Sequence, residues 1–398
     1  MAEGPDPAGE QKRPGRVRVT FRGTTLARSC DLARAEDADD FDGMFSAAEE
    51  GGSGGGRPYD LVEARRLLAQ PVVAAGSVPG YGPIFNGGVI HHDGRYHLFA
   101  RAVRDGYRPN EKKGRGEPRF LDYISDVLVF VSSDGVDYDF QQVLHRSDPN
   151  AVYEDPRVQC VTSKGEPRFL LSYTHVPAAS TGKPWRAGLT ELYYAGGAFS
   201  CCPELLLGPE NVPNKDVVLC NLEDGRIALF QRLEQQMVQN IQLASFDSLD
   251  ELWATTPEFW HHYVDTLPEQ TILVPSPGAH GIGAGAPPIL VDGELLFFYH
   301  ERDGADVYRT RVALLDRRTG RVRSLLTNPI LAPELDWELD GDVDNVIFVQ
   351  GAQLREDGTI YLSYGAADRH VGAASVEAAP LLAKLRAATV PAALPIAA

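Results

Sequence analysis

Residues 88–102 read GVIHHDGRYHLFARA: an apolar strand, an Asp93-Gly94 turn and a second strand ending near Arg101. Asp-Gly supplies the positive φ that a tight hairpin needs, and alternation on each side supports strands. The same pattern returns as RVQCVTSKGEPRFLLSY at 157–173, VVLCNLEDGRIALFQR at 217–232, PPILVDGELLFFYH at 287–300 and GAQLREDGTIYLSYG at 351–365. The turn glycines Gly94, Gly165, Gly225, Gly293 and Gly358 recur every 60–71 residues. One hairpin says little, but five at a near-constant spacing imply a repeated antiparallel unit, and the spacing suits a four-stranded blade with long loops. Few helical periods interrupt the series, which argues against a TIM barrel or a doubly wound sheet. Two stacked β-domains would not naturally yield five equal copies. The expected fold is all-β: a five-bladed β-propeller with a flexible N-terminal extension and a short C-terminal helix.

Composition bounds the function. The chain has 398 residues, 43% of them hydrophobic, and a net charge of −17. Such a charge repels phosphate backbones and anionic membranes, so neither nucleic acid nor membrane is an expected partner. No apolar run reaches membrane-spanning length, and the N-terminus lacks the apolar stretch of a signal peptide. Five cysteines without a C-x-x-C pair fit neither a disulfide framework nor a structural zinc site. A reducing cytoplasm is the expected compartment and no metal site is expected. Assembly into a homo-oligomer stays open.

The expected organisation is an extension over 1–60, a propeller over 61–376, and a helix with tail over 377–398. Residues 49–57, EEGGSGGGR, cannot bury enough apolar surface to offset the entropy of ordering, so 36–57 is expected to be mobile. A short helix is expected over 61–69. The basic stretch 110–118 reads as a long surface loop, and Leu381, Leu382 and Leu385 suit one face of a terminal helix.

The repeat also predicts where polar side chains converge. Seven residues past the turn glycines stand Arg101, Ser172, Arg232, His300 and Gly365. Equivalent positions in a propeller are related by rotation about its axis, so the three cationic or titratable residues describe a ring. Taken singly, each could simply end an exposed strand. A second ring is expected at the hairpin entrances: Asn86, Asp155, Lys215, then Gly283 and Gly285, then Phe348. Asp155 lies in Glu154-Asp155-Pro156-Arg157. It reads as a structural ion pair with Arg157, or as a general acid if burial keeps its proton. The stretch GIGAGAPP at 281–288 lacks the Gly-Lys-Ser/Thr ending of a phosphate loop and precedes a strand, so close approach of backbone to a ligand is the better reading. His261 and His262, beside Trp260, either line a sugar site or cap a loop, whereas His91 and His92 are expected to face solvent.

Over about residues 80–376 the chain resembles glycoside hydrolase family 130, the β-mannoside phosphorylases and β-1,2-mannosidases, whose fold is a five-bladed propeller. The strings that carry the resemblance are FNGGV and LFARA, EDPRV, NKDVVL with Lys215 and Asp216, GIGAGAPPIL and FYH, ALLD with Asp316, VIFVQGA and YGAAD with Asp368. The resemblance implies that Asp155 donates the proton to the glycosidic oxygen, relayed through a sugar hydroxyl, with inversion at the anomeric carbon. It implies that Asn86, Arg101 and Asp368 hold the glycone, and that Arg232, His300 and Tyr308 face the attacking phosphate or water. Arg157, Lys215, Asp216 and Phe348 join the substrate-binding candidates, and His280 the phosphate- or water-site candidates.

Three departures bear on the reaction. Family phosphorylases carry a lysine just before the G-x-G-x-P-P element; here that place is Gly281, preceded by His280. Glu301, not glycine, follows His300, and 110–118 lengthens the loop before Asp155. A phosphate dianion needs several charge-assisted donors, so loss of the lysine weakens phosphorolysis. The first expectation is therefore inverting hydrolysis of a β-mannoside-type oligosaccharide, with Glu234 or Glu301 as positional candidates for the base, although both also read as surface residues. The alternatives are a phosphorylase using inorganic phosphate as co-substrate and a non-catalytic carbohydrate-binding propeller. No cofactor is expected.

Overall fold

All five turn glycines adopt the backbone conformation their hairpins require, with φ of 70° at Gly94, 83° at Gly165, 89° at Gly225, 77° at Gly293 and 82° at Gly358. Asp93, Lys164 and Asp292 precede three of them and are also at positive φ. Their flanking pairs His92–Arg95, Ser163–Glu166 and Val291–Glu294 close two-residue hairpins whose twist matches that of the strands. The computed structural model describes residues 62–111, 119–148, 150–234 and 239–388. The expectations for 1–60, for most of the 110–118 loop and for the tail beyond 388 lie outside those residues.

The hairpins are the inner strands of five antiparallel sheets arranged as a five-bladed β-propeller. The first sheet runs Tyr81–His92, Arg95–Arg104, Ser125–Ser132, Asp139–His145. The second runs Ala151–Ser163, Glu166–Pro177, Arg186–Ala195, with Ala198–Cys201 and Leu205–Leu207 on its outer edge. The third runs Asn214–Asn221, Ile227–Leu233, Ile241–Phe246, Thr271–Leu273. In the fourth, Gly281–Ala284 and Ile289–Val291 share the inner edge, followed by Glu294–Arg302, Tyr308–Leu315 and Val322–Leu325. The fifth runs Ile347–Leu354, Thr359–Ala366, His370–Glu377.

The helix expected over 61–69 does not form. Arg65–Arg66 pairs instead with Ser375 and Ala374 as the outermost strand of the fifth sheet, so chain from before the first sheet completes the last. An unpaired sheet edge is a stronger local demand than helix propensity in so short a segment. The Arg66 guanidinium then binds the fully buried Glu338 carboxylate through two contacts of 2.7 Å.

Apolar side chains pack between neighbouring sheets. Phe99 and Val129 meet Val158 and Leu171 between the first and second sheets, and Val89 and Leu98 meet Tyr361 and Val371 between the first and fifth. That last cluster closes the ring. Near the axis the inner strands almost touch: a Cβ on Gly88 would lie 2.8 Å from Val158 N, and one on Gly285 would lie 2.6 Å from Val349 O. The close approach made by Gly285 is to a neighbouring strand. Helix Ala378–Ala387 places Leu381, Leu382 and Leu385 in the cluster between the fourth and fifth sheets. Three short helices, Leu249–Trp253, Pro257–Asp265 and Leu267–Gln270, interrupt the third sheet before its outer strand. His261 and His262 are exposed on the second of these, while its Trp260 and Tyr263 are buried. No helix among the described residues is long and apolar enough to cross a membrane.

Candidate active site

Four inner strands carry one extra residue at the same end. The register slips between Phe85 and Gly88, Glu154 and Arg157, Lys215 and Val218, and Val349 and Gly351. A bulge re-aims its side chain out of the ladder, here toward the mouth of the ring. Three bulges put a short polar residue in the left-handed region: Asn86 at φ 49°, Asp155 at 53° and Asp216 at 57°. Asn and Asp tolerate this region better than other L-residues, and strain of this kind gathers at functional sites. In the fourth sheet, Pro287 and Pro288, which cannot donate to a ladder, part the inner edge into two strands.

The bulges revise the two expected rings. In the third sheet the bulged residue is Asp216, one past Lys215; in the fifth it is Gln350, two past Phe348. Arg101, Arg232 and His300 all reach the mouth. Ser172 instead donates to Val217 O from a fully buried position, and Gly365 packs against Asn86. Gln350, with its amide oriented to satisfy its neighbours, donates to Asn86 O at 2.6 Å and accepts from Arg157 at 3.3 Å. Sequence reasoning missed it because a bulge changes register without changing composition.

One cluster surrounds Asp155. Asn86 Nδ2 donates to Asp155 Oδ1 at 2.8 Å, and Arg101 lies 3.4 Å from Asp155 and 2.5 Å from Glu154. The Arg101 guanidinium is sandwiched by aromatic faces, 5.0 Å from the Phe85 ring and 5.5 Å from that of Tyr123. Tyr123 in turn donates to Asp342 at 3.1 Å. Burial pushes the Asp368 carboxyl up to about 7; Arg101 opposes this, and Asp155, Glu154 and Asp342 reinforce it. Burial likewise raises Glu154 against the pull of Arg101. Three carboxyl groups, those of Asp155, Glu154 and Asp368, thus crowd Arg101, and the raised Asp368 readily retains its proton near neutral pH.

The second cluster surrounds Asp216. Arg157 binds it at 2.8 Å and Arg232 at 2.9 Å, and His300 Nε2 stands 3.7 Å away. Arg157 gives Asp155 only a hydrogen bond to its backbone oxygen, so the ion pair considered for these two residues is made with Asp216 instead. Burial opposes ionisation of Asp216, but Arg232 and Arg157 outweigh it and hold its pKa far below the usual carboxylate range. Burial drives His300 well below its ordinary value, so the ring is neutral. Gly283 leaves the space these side chains use, since a Cβ there would lie 2.2 Å from Asp216 Oδ2 and 2.5 Å from His300 Cε1. The Phe348 ring lies tilted against His300 with centroids 4.1 Å apart, and the Tyr308 ring is 6.0 Å from the same imidazole.

Arg232 also pairs with Glu234 at 3.1 Å, and the Glu234 side chain is only 8% exposed. Glu301 is buried as well, bound to Arg311 at 2.8 Å and accepting from Ser276 N. Neither is the surface residue that position alone suggested. His280 is placed apart, on an exposed loop with Asp306 at 2.8 Å. Lys215 Nζ lies 5.9 Å from the Trp185 ring.

The chain is similar in sequence and in fold to known proteins. The profile of a family described as beta-1,4-mannooligosaccharide phosphorylase (Glyco_hydro_130) matches residues 211–386. A beta-1,2-mannobiose phosphorylase of Thermoanaerobacter sp. (strain X514) is 30% identical over 300 residues, 74% of this chain and 90% of that protein. A 1,2-beta-oligomannan phosphorylase of the same strain is 26% identical over 335 residues, 80% of this chain and 98% of that one. Among solved structures, the beta-1,2-mannobiose phosphorylase of Listeria innocua in complex with beta-1,2-mannobiose shares the fold. Its TM-score is 0.63 at 19% identity, over 81% of this chain and 99% of that one. On the strength of the first Thermoanaerobacter relative, whose match spans most of both chains, this chain belongs to glycoside hydrolase family 130.

Proposed function

We propose that this enzyme hydrolyses a β-mannosidic bond with inversion. Asp155 gives a proton toward the glycosidic oxygen, while Asn86, Arg101 and Asp368 hold the glycone. Glu234 takes the proton from a water whose oxygen bonds to the anomeric carbon as the bond to the leaving sugar breaks. The observation that carries this reading is the state of Arg232, ion-paired to both Asp216 and Glu234 beside a neutral His300. A phosphate dianion binds through charge-assisted donors, and here Arg232 is already engaged by two carboxylates, Asp216 and Glu234. The space beside Gly281, where family phosphorylases place a lysine, is filled by Gln239, whose Oε1 would lie 2.0 Å from a Cβ on that glycine.

Phosphorolysis is the second reading, favoured by the relatives, which are named as phosphorylases. There Arg232, His300 and Tyr308 receive phosphate. The two readings separate in one assay: incubate the enzyme with β-1,2-mannobiose, with and without inorganic phosphate, and identify the products. Mannose released at equal rates in both supports hydrolysis. Mannose 1-phosphate formed only with phosphate overturns it.

A further inference from the structure

Between its second and third strands the first sheet sends out a short two-stranded ribbon, Arg108–Pro109 paired with Phe120–Leu121. Three aromatic rings pack beside it: Tyr107 lies 5.5 Å from Phe120 and 5.0 Å from Tyr123, and Phe120 stacks on Tyr123 at 4.9 Å. A ribbon this small is not stable by itself and takes its place from what it is tied to. The tie is Asp342, in the loop between the fourth and fifth sheets. One oxygen of its carboxylate accepts from Tyr107 and the other from Tyr123, each at 3.1 Å. Asp342 is buried, and the Arg369 guanidinium stands 4.0 Å away, at the limit of an ion pair. A buried carboxylate needs donors, and the two phenols supply them. Burial, reinforced by Asp342, pushes the Tyr107 hydroxyl up to about 12, and burial raises Tyr123 against the pull of Arg101. Both hydroxyls therefore keep the protons they donate.

Each end of this tie leads to the reacting centre. The loop carrying Asp342 is fastened to the turn that holds Asp368. Val343 N donates to Ala367 O at 3.2 Å and Ala367 N to Val346 O at 3.1 Å, and a Cβ on Gly341 would lie 2.2 Å from Ala367 O. At the other end the Tyr123 ring lies 5.5 Å from the Arg101 guanidinium, which reaches Asp155 at 3.4 Å. An arginine between two ring faces is seated by both. Phe85, on one face, is fully buried in the first sheet, whereas Tyr123, on the other, is half-buried and tied through its hydroxyl to Asp342.

We infer that Asp342 is a positioning residue for this reaction: by binding Tyr107 and Tyr123 together it holds the Tyr123 ring where it seats Arg101 against Asp155. Asp342 acts through Tyr123 and donates nothing to the substrate. The inference rests on the functional reading above in taking Arg101 to serve the reacting sugar, and it applies to hydrolysis and phosphorolysis alike.

The test uses the full chain and steady-state kinetics on β-1,2-mannobiose, with and without inorganic phosphate, well below the thermal midpoint of every variant. Asp342→Ala removes both acceptor oxygens and is expected to lower kcat/KM about 10–100-fold, the order lost when a substrate-holding group is displaced slightly. Asp342→Asn keeps the size and one acceptor oxygen and is expected to recover most of that loss. The pair Tyr107→Phe with Tyr123→Phe should lower kcat/KM as well, and adding Asp342→Ala to it should cost less than about twofold more, since residues acting as one unit are not additive. A lower thermal midpoint with kcat/KM unchanged would make Asp342 merely structural and overturn the positioning role alone. So would a loss that Asp342→Asn does not recover, or one that multiplies in full onto the tyrosine pair. Absence of any turnover of mannobiose by the native protein in both conditions overturns the functional reading and the positioning role with it.

Discussion

Asp155 sits on a strained backbone position, held by Asn86 and Arg101 and by a bulge that points it out of the ladder. Replacing it with Asn keeps size and the acceptor oxygen but removes the transferable proton. With Asp155→Asn, kcat on an oligosaccharide is expected to fall about 10²–10⁴-fold at an unchanged thermal midpoint. A substrate whose leaving group needs no protonation loses much less, and equal loss on both would show a general defect in binding. Asp368 offers a separate test, because burial pushes its pKa up to about 7 while an unfolded chain has an ordinary carboxyl. The folded protein therefore takes up this proton first as pH falls. Stability contributed by the group rises as pH drops from about 7 and is complete below about 4. In urea titrations across that window, Asp368→Asn should flatten the slope and be more stable than the native protein at pH 8. An unchanged slope would place the proton elsewhere.

At the scale of an element, the hairpin turns were legible because glycine chemistry announces them, and the bulges were not. Lys215 and Phe348 were the entrances expected by counting; the structure moves the bulge to Asp216 and Gln350, since a one-residue slip redirects every side chain after it. The same bulges require the inner strands to pass close together. Gly88→Ala would bring a Cβ within 2.9 Å of Arg157 Cα and Pro156 O, both backbone atoms with little freedom to move. A loss of about 1–3 kcal/mol in urea denaturation is expected, with the site distorted along with the strand. Wild-type stability in that variant would mean that the inner strands separate more readily than their packing indicates.

For the whole molecule, ring closure depends on a short strand far from its partners in sequence. Among the described residues Arg66 alone neutralises the fully buried Glu338; burial opposes the charge of that carboxyl, but hydrogen bonds from Arg66 and from the Leu335 and Glu334 backbone outweigh it and keep its pKa below the ordinary range. Arg66→Ala leaves that carboxylate buried without its cation and is expected to cost about 3–5 kcal/mol, read as a lower urea midpoint. Adding Glu338→Gln should recover part of the loss. No recovery would assign the effect to the strand pairing of Arg65–Arg66 rather than to charge. Five-fold repetition, the hairpin turns and the approach of Asn86, Arg101 and Asp155 toward one mouth followed from the sequence alone, because turn glycines and strand alternation are local chemistry repeated at a fixed period; Asp368 was added by the resemblance to the family. The outermost fifth strand, the pairing of Arg157 with Asp216, the burial of Glu234 against Arg232 and the exposed Trp185 beside Lys215 were decided only by tertiary structure. Each joins residues that no local pattern relates, and their partners are chosen by which sheet edges meet when the ring closes.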